Sequence, residues 1–300
     1  MLNNISTEFS IKDLENLSGI KAHTIRIWEK RYNILMPKRT DSNIRLYDLE
    51  NLKKLLNVTL LYESGMKISK IAEMDMGDLK ASVKEQVAVK ADSQHFLSSL
   101  KLAMLNFDQS LFEQTYNRML AEISFRQVFV DIFIPFLQQV GIEWSSNAIT
   151  PAHEHFVSNL IKQKLQINIE RVQQSAPDVD SKLFVLFLPD HEIHDLGLLY
   201  IQYELVLKGH HSAYLGPSVP MDSLKVLLDL KYPLHFITYM TVYPGAENVQ
   251  EYLNEFNNGL LLGTDNKLWV LGKNSKYASM QKEWKSIELF NDLKEVINKI

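Results

Sequence analysis

Lys182-Leu183-Phe184-Val185-Leu186-Phe187-Leu188-Pro189 and, two residues on, Glu192-Ile193-His194-Asp195-Leu196-Gly197 decide how the C-terminal half of this chain is read. The first run is short, unbroken and apolar, as expected of a strand buried on both faces of a sheet. The second sets an imidazole just past the strand's carboxyl end, with a carboxylate two residues before it and a glycine three after. In an open α/β domain, ligands bind at that edge. An imidazole that holds a metal through one ring nitrogen needs an acceptor on the other to fix its tautomer, and Glu192 stands at the right offset to supply it. A lone histidine beside apolar residues is more often structural, so the acid and the glycine at fixed offsets carry the argument.

Downstream, strand and helix patterns alternate. Strands are predicted at 183–188, 211–215, 234–240, 268–271 and 286–290, with helices near 195–208, 221–230, 246–257, 276–284 and 291–299. That alternation implies a parallel sheet covered on both faces, and five strands suit the flavodoxin-like order. Upstream, residues 93 to about 174 are helical and nearly free of glycine. Phe125, Val128, Phe129, Ile132, Phe133, Phe136, Leu137 and Val140 form a broad stripe at helical spacing, with Pro135 expected to bend that helix. With Phe96 to Leu105, Gln109 to Ala121 and Ala152 to Val172 it predicts a four-helix bundle. The fold class is therefore multidomain α and α/β. The expected boundaries are 1–76, a linker at 77–92, the bundle at 93–176 and the α/β domain at 177–300.

Three hundred residues, 46% apolar and 23% charged, describe a soluble globular protein. The absence of cysteine excludes disulfides, thiolate metal sites and a cysteine nucleophile. A polar N-terminus and no long apolar run lead us to expect a cytoplasmic location with no membrane contact. The net charge of -4 hides a local excess: between 21 and 45 seven basic residues face only Glu29 and Asp41. Phosphate contact is expected there.

That basic segment opens with a helix from Ile11 to Leu17, capped by Ser10 and Asp13 and closed by Gly19, followed by a second from His23 to Tyr32. The two form a helix-turn-helix, and Lys38 to Tyr47 reads as a basic hairpin, a wing beside it. Gly19-Ile20, Thr24-Ile25-Arg26-Ile27-Trp28-Glu29-Lys30-Arg31-Tyr32, Pro37-Lys38-Arg39-Thr40, Arg45-Leu46-Tyr47 and Asp48-Leu49 together resemble the MerR family of transcriptional regulators. Only Ser42-Asn43 departs, where many relatives carry a glycine at the wing tip. The resemblance implies double-stranded operator DNA as partner, at least a dimer or tetramer of the chain, and contact with RNA polymerase or an antagonist protein. Thr24, Arg26, Arg31, Arg39, Arg45 and Tyr47 are the expected DNA contacts, divided between positioning and readout.

The Glu192-x-His194-x-x-Gly197 element resembles the base-off, His-on cobalamin-binding domain. The resemblance implies His194 as the cobalt's lower axial ligand, Glu192 as the acid that orients it and Gly197 as room for the nucleotide tail. It also sets Thr238 and Met240 in place of a Ser-x-Leu beside the tail, and Gly272 in place of the first of two glycines. In regulators of this type a tryptophan, followed ten and eleven residues later by Glu-His, covers the upper corrin face; Trp144, Glu154 and His155 keep that spacing. Light-responsive members, the carotenoid-gene repressors among them, use adenosylcobalamin, and some trap the cobalt with a histidine directly after the tryptophan. This chain has Ser145 there.

Three functions compete on these residues. The first is a transcriptional regulator, not an enzyme, whose cobalamin state controls oligomerisation and operator binding. The second keeps the DNA-binding role but uses the C-terminal half as an apo interaction module. The third is a corrinoid methyl carrier, for which an N-terminal DNA-binding segment has no use. A zinc site from His191/His194 or His153/His155 lacks the i, i+4 spacing of a helical zinc motif.

Overall fold

The computed structural model describes residues 8–40, 42–87, 93–145, 149–173, 182–230 and 232–300; the side chains of 84–87, 93–94 and 143–145 lie outside that description. The chain forms two compact units, Met1–Ile161 and Lys162–Ile300.

In the first unit, β1 (Glu8–Phe9) leads into α1 (Ile11–Ser18) and α2 (Ala22–Tyr32). Ser10 and Asp13 form a reciprocal capping box that satisfies two orphan donors of α1, and Gly19 ends it at φ 75°, where a glycine meets no Cβ penalty. The wing is built from β2 (Lys38–Arg39) and β3 (Arg45–Asp48), and the three strands pair antiparallel in the order β1-β3-β2. At the wing tip Asn43 takes φ 63°, a conformation asparagine tolerates, so it serves where relatives use glycine. Then come α3 (Leu49–Glu63), α4 (Ile68–Ala72) and α5 (Met76–Val87), the last filling much of the expected linker. Leu14, Leu17, Ile25, Trp28, Leu52, Leu55 and Leu56 are buried, the inward stripes of these helices.

The bundle helices are α6 (Ser93–Asn106), α7 (Gln109–Glu122), α8 (Phe125–Gln127), α9 (Ile134–Ser145) and α10 (Pro151–Val172). Between α8 and α9 the backbone widens into a π-helical stretch, Val128–Phe133. Pro135 stands two residues past this stretch: proline has no N–H to donate, and the wider ladder ahead of it relieves the clash with the preceding turn. Six residues of the stripe between Val128 and Val140 are buried, each aromatic contributing roughly 2–3 kcal/mol. The winged segment and these helices are packed into one unit: Lys101 Nζ on α6 donates to the Leu17 carbonyl at 2.8 Å, and Gln139 on α9 to that of Asn16.

The second unit takes the end of α10 and a five-stranded parallel sheet. Its elements are β4 (Leu183–Pro189), α11 (Leu196–Leu207), β5 (Ser212–Val219), β6 (Leu234–Tyr239), α12 (Val249–Phe256), β7 (Lys267–Leu271), β8 (Ile287–Leu289) and α13 (Leu293–Lys299). The strand order β5-β4-β6-β7-β8 is the expected flavodoxin-like one, with the switch of direction between β4 and β6. The segment near 221–230 is a 3-10 helix, Met221–Asp229. No helix forms over 276–284: a 3-10 turn ends at Tyr277, and the rest is held to α12 by side chains. Gln250 bonds both backbone groups of Ser279, and buried Trp284 donates to Asn254, which replaces the internal bonds of a helix.

Candidate functional site

The loops leaving β4 and β6 meet beyond the carboxyl edge of the sheet, at its switch point, and Glu192 joins them. Its side chain is fully buried. One carboxylate oxygen accepts from the backbone N–H of Ile193 and His194; the other accepts from Thr241, Val242 and Tyr243, at 3.0, 2.6 and 2.9 Å. Five main-chain donors thus converge on one side chain. The first oxygen also meets His194 Nδ1 at 2.5 Å. Burial alone would raise the pKa of Glu192, but the bonds from His194, Val242 and Tyr243 outweigh it and pull the value down to about 2.

An acid that stays ionised leaves the shared proton on the imidazole. Nδ1–H donates to Glu192, which puts the lone pair of the neutral ring on Nε2, the tautomer a metal requires. The His194 side chain is 46% exposed. Ile193, Val242 and Tyr243 are exposed apolar side chains on the two loops that Glu192 ties together, and the Tyr243 ring lies 5.9 Å from that of His191. A basic, half-exposed ring nitrogen on loops that present apolar side chains fits a metal carried in a large, flat ring. Among the described residues, no three His, Asp or Glu side chains are grouped to hold a bare ion.

Two further residues position this loop pair and were not found from sequence. Asn274 Nδ2 donates to the carbonyls of Val242 and Pro244 at 3.1 and 3.0 Å, holding the loop that ligates Glu192. Asp195, directly after His194 and 5% exposed, accepts from Lys162 at 2.5 Å and from the Tyr214 hydroxyl at 2.7 Å. It ties the middle of α10 and β5 to the start of α11.

Four expectations need correction. Gly272 does not open space for a ligand: at φ 100°, a Cβ there would stand 2.4 Å from the Met240 carbonyl oxygen. The glycine lets β7 pass against the backbone of Met240 and brings Asn274 into place, where its N–H donates to that same oxygen. Met240 is fully buried, packed into the core that holds Val249 and Leu253 of α12. Side chains alternate along β6, which turns Thr238 to that same face, away from α11; its Oγ1 is buried without a partner. Gly197 lies on the other face, and the space above it is taken by the ring of Tyr239, 2.8 Å from where a Cβ would stand.

Of the upper set, the side chain of Trp144 lies outside the described residues. Glu154 and the exposed His155 pair at 2.8 Å at the start of α10, and Ser158 donates to the same carboxylate. His153 has a structural setting: its ring stacks on Phe107 and Nδ1 accepts from the Thr150 N–H. Burial, with Lys53 nearby, lowers its pKa.

On the winged segment Arg26, Arg31 and Arg39 are exposed and Thr24 is half-buried. Arg39 donates to Asn43 across the wing tip at 2.6 Å. Tyr47 differs from expectation. Its ring is fully buried and its hydroxyl donates to Glu29 at 2.8 Å, while Arg45 Nε donates to the other oxygen at 2.9 Å. Burial and the Glu29 bond push the Tyr47 hydroxyl far above its usual range. Tyr47 therefore supports the wing from inside, and Glu29 on α2 couples wing to helix.

Comparison with known proteins agrees with both halves. The family model for a MerR HTH family regulatory protein matches residues 9–76, and one for a B12 binding domain matches residues 97–167. The HTH-type transcriptional repressor CarH of Myxococcus xanthus is 28% identical over 273 residues, 88% of each chain. The HTH-type transcriptional repressor CarA of the same organism is 26% identical over 219 residues, 72% of this chain and 70% of that one. Among solved structures, the monomethylamine corrinoid protein of Methanosarcina barkeri superposes with a TM-score of 0.56 at 13% identity, over 69% of this chain and 98% of that one, a likeness of fold. A MerR HTH regulatory match followed by a B12 binding domain match along one chain, and a transcriptional repressor alike over 88% of it, make this a DNA-binding regulator with a cobalamin-binding region behind the DNA-binding one, similar to regulators of the MerR family.

Proposed function

We propose that His194 is the lower axial ligand of a bound cobalamin, in the adenosyl form, and that occupancy sets the oligomeric state and operator affinity of the regulator. The observation that carries this reading is the carboxylate of Glu192, held by five backbone N–H groups and bonded to His194 Nδ1. It fixes the imidazole's tautomer and orientation and makes Nε2 more basic. Ile193, Val242 and Tyr243 give the ring an apolar seat. Cobalamin supplies a cobalt centre whose axial ligands exchange and whose Co–C bond, in the adenosyl form, is broken by light. Trp144, Glu154 and His155 are assigned to the upper corrin face on their spacing. Arg26, Arg31, Arg39 and Arg45 carry the operator contacts, with Thr24 at the start of the recognition helix.

Reconstituting the full chain with adenosylcobalamin and recording its visible spectrum tests the assignment. Wild type should show the base-off, histidine-ligated spectrum and His194→Ala should lose it. An unchanged spectrum in the variant would remove His194 from the cobalt. A spectrum that forms without any change in DNA retention would leave the site as a carrier.

A further inference from the structure

The packing around Gly197 disfavours one part of a cobalamin, its nucleotide tail. The glycine of the His194 element is expected to leave room for the nucleotide tail, yet that room is filled. On β6, Phe236 and Met240 belong to the core under α12, whereas Ile237 belongs to the core under α11, against which Tyr239 packs. A step of one residue along a strand changes the face. The side chain that looks at Gly197 is therefore Tyr239, not Thr238. Its Cε2 and Cζ lie 2.8 and 3.1 Å from an ideal Cβ on Gly197. The ring is half-buried at the carboxyl edge of the sheet. Burial pushes its hydroxyl pKa up, with the Asp292 carboxylate adding to the effect, and the ring is a neutral, fitted part of the wall.

From this packing we infer that Tyr239 is a specificity-determining residue, and that the site prefers corrinoids without a nucleotide tail. A tail entering beside His194 has to expel the aromatic ring, whereas a tail-less corrinoid seats on the imidazole and the apolar side chains of its loops with Tyr239 in place. This inference rests on His194 as the axial ligand. It goes beyond it in naming the class of corrinoid the site selects.

Titrating the full-length protein with aquocobinamide, which has no tail, and with hydroxocobalamin, followed by visible absorption, tests this directly. Hydroxocobalamin must release its own base whichever protein it meets, so the decisive comparison is between variants. Tyr239→Ser should raise hydroxocobalamin affinity by about tenfold and leave cobinamide affinity unchanged, while Tyr239→Phe keeps the wild-type ratio. Tyr239→Ala serves the same purpose if the serine variant does not fold by circular dichroism. A ratio that is the same in wild type, Tyr239→Ser and Tyr239→Ala overturns the role of Tyr239 and leaves the axial ligand standing. No coordination shift with either corrinoid, in any folded variant, overturns both.

Discussion

Glu192 is the residue on which most of the site depends, and its charge has a measurable signature. Its pKa in the folded chain, about 2, lies below the ordinary 4.5. Its contribution is therefore complete above about pH 4.5 and is lost as pH falls toward 2, worth roughly 3 kcal/mol at neutral pH. Urea unfolding of the wild type from pH 6 down to pH 2.5 should show this loss, and Glu192→Gln should flatten that part of the curve. An identical acid limb in the variant would mean that the carboxylate is not held as described. The pairing of Glu192 with His194 was legible in the sequence because its spacing is local. Asn274 and Tyr239 were not. Asn274 acts on a loop some thirty residues away in the chain, and the facing of Tyr239 hangs on a strand register that a single residue inverts.

Among the elements, the wing and the β6–β7 crossing make separate demands. Arg45 and Tyr47 both donate to Glu29, so the angle between β3 and α2 depends on one carboxylate. Glu29→Ala should lower operator affinity severalfold by releasing the wing, with the salt slope little changed. Arg45→Ala should lower both affinity and the slope, the latter by about one, as for loss of one phosphate contact. Fluorescence anisotropy at several salt concentrations separates the two, and a variant Arg45→Ala with unchanged operator affinity removes that residue from the interface. At the crossing, Gly272→Ala should cost at least about 2 kcal/mol in urea unfolding, since it sets a Cβ against the Met240 backbone at a positive φ. A midpoint equal to wild type would show that the backbones separate easily. Helix and strand periods read these elements correctly from sequence, except over 276–284. There bonds from Gln250 and Asn254 outweigh the local helical preference of the chain, a tertiary effect that no window of sequence contains.

At the scale of the whole molecule, the regulator joins a DNA-reading unit with a cofactor-binding one, and a ligand can shift such a protein only through a difference in affinity between its states. With adenosylcobalamin in darkness the chain should elute at a higher oligomeric state than after illumination, measured by size-exclusion chromatography with light scattering. A single elution position in both conditions would disconnect photochemistry from assembly, a separation that Ser145 after Trp144 makes a real alternative. The five N–H groups gathered on Glu192 bear on the same question from another side. They stitch two strand-end loops together before any corrinoid arrives, so arrival there orders little and releases little. A socket that is already set is good at holding and poor at signalling. The message of occupancy must then leave from the face of the ligand turned away from His194.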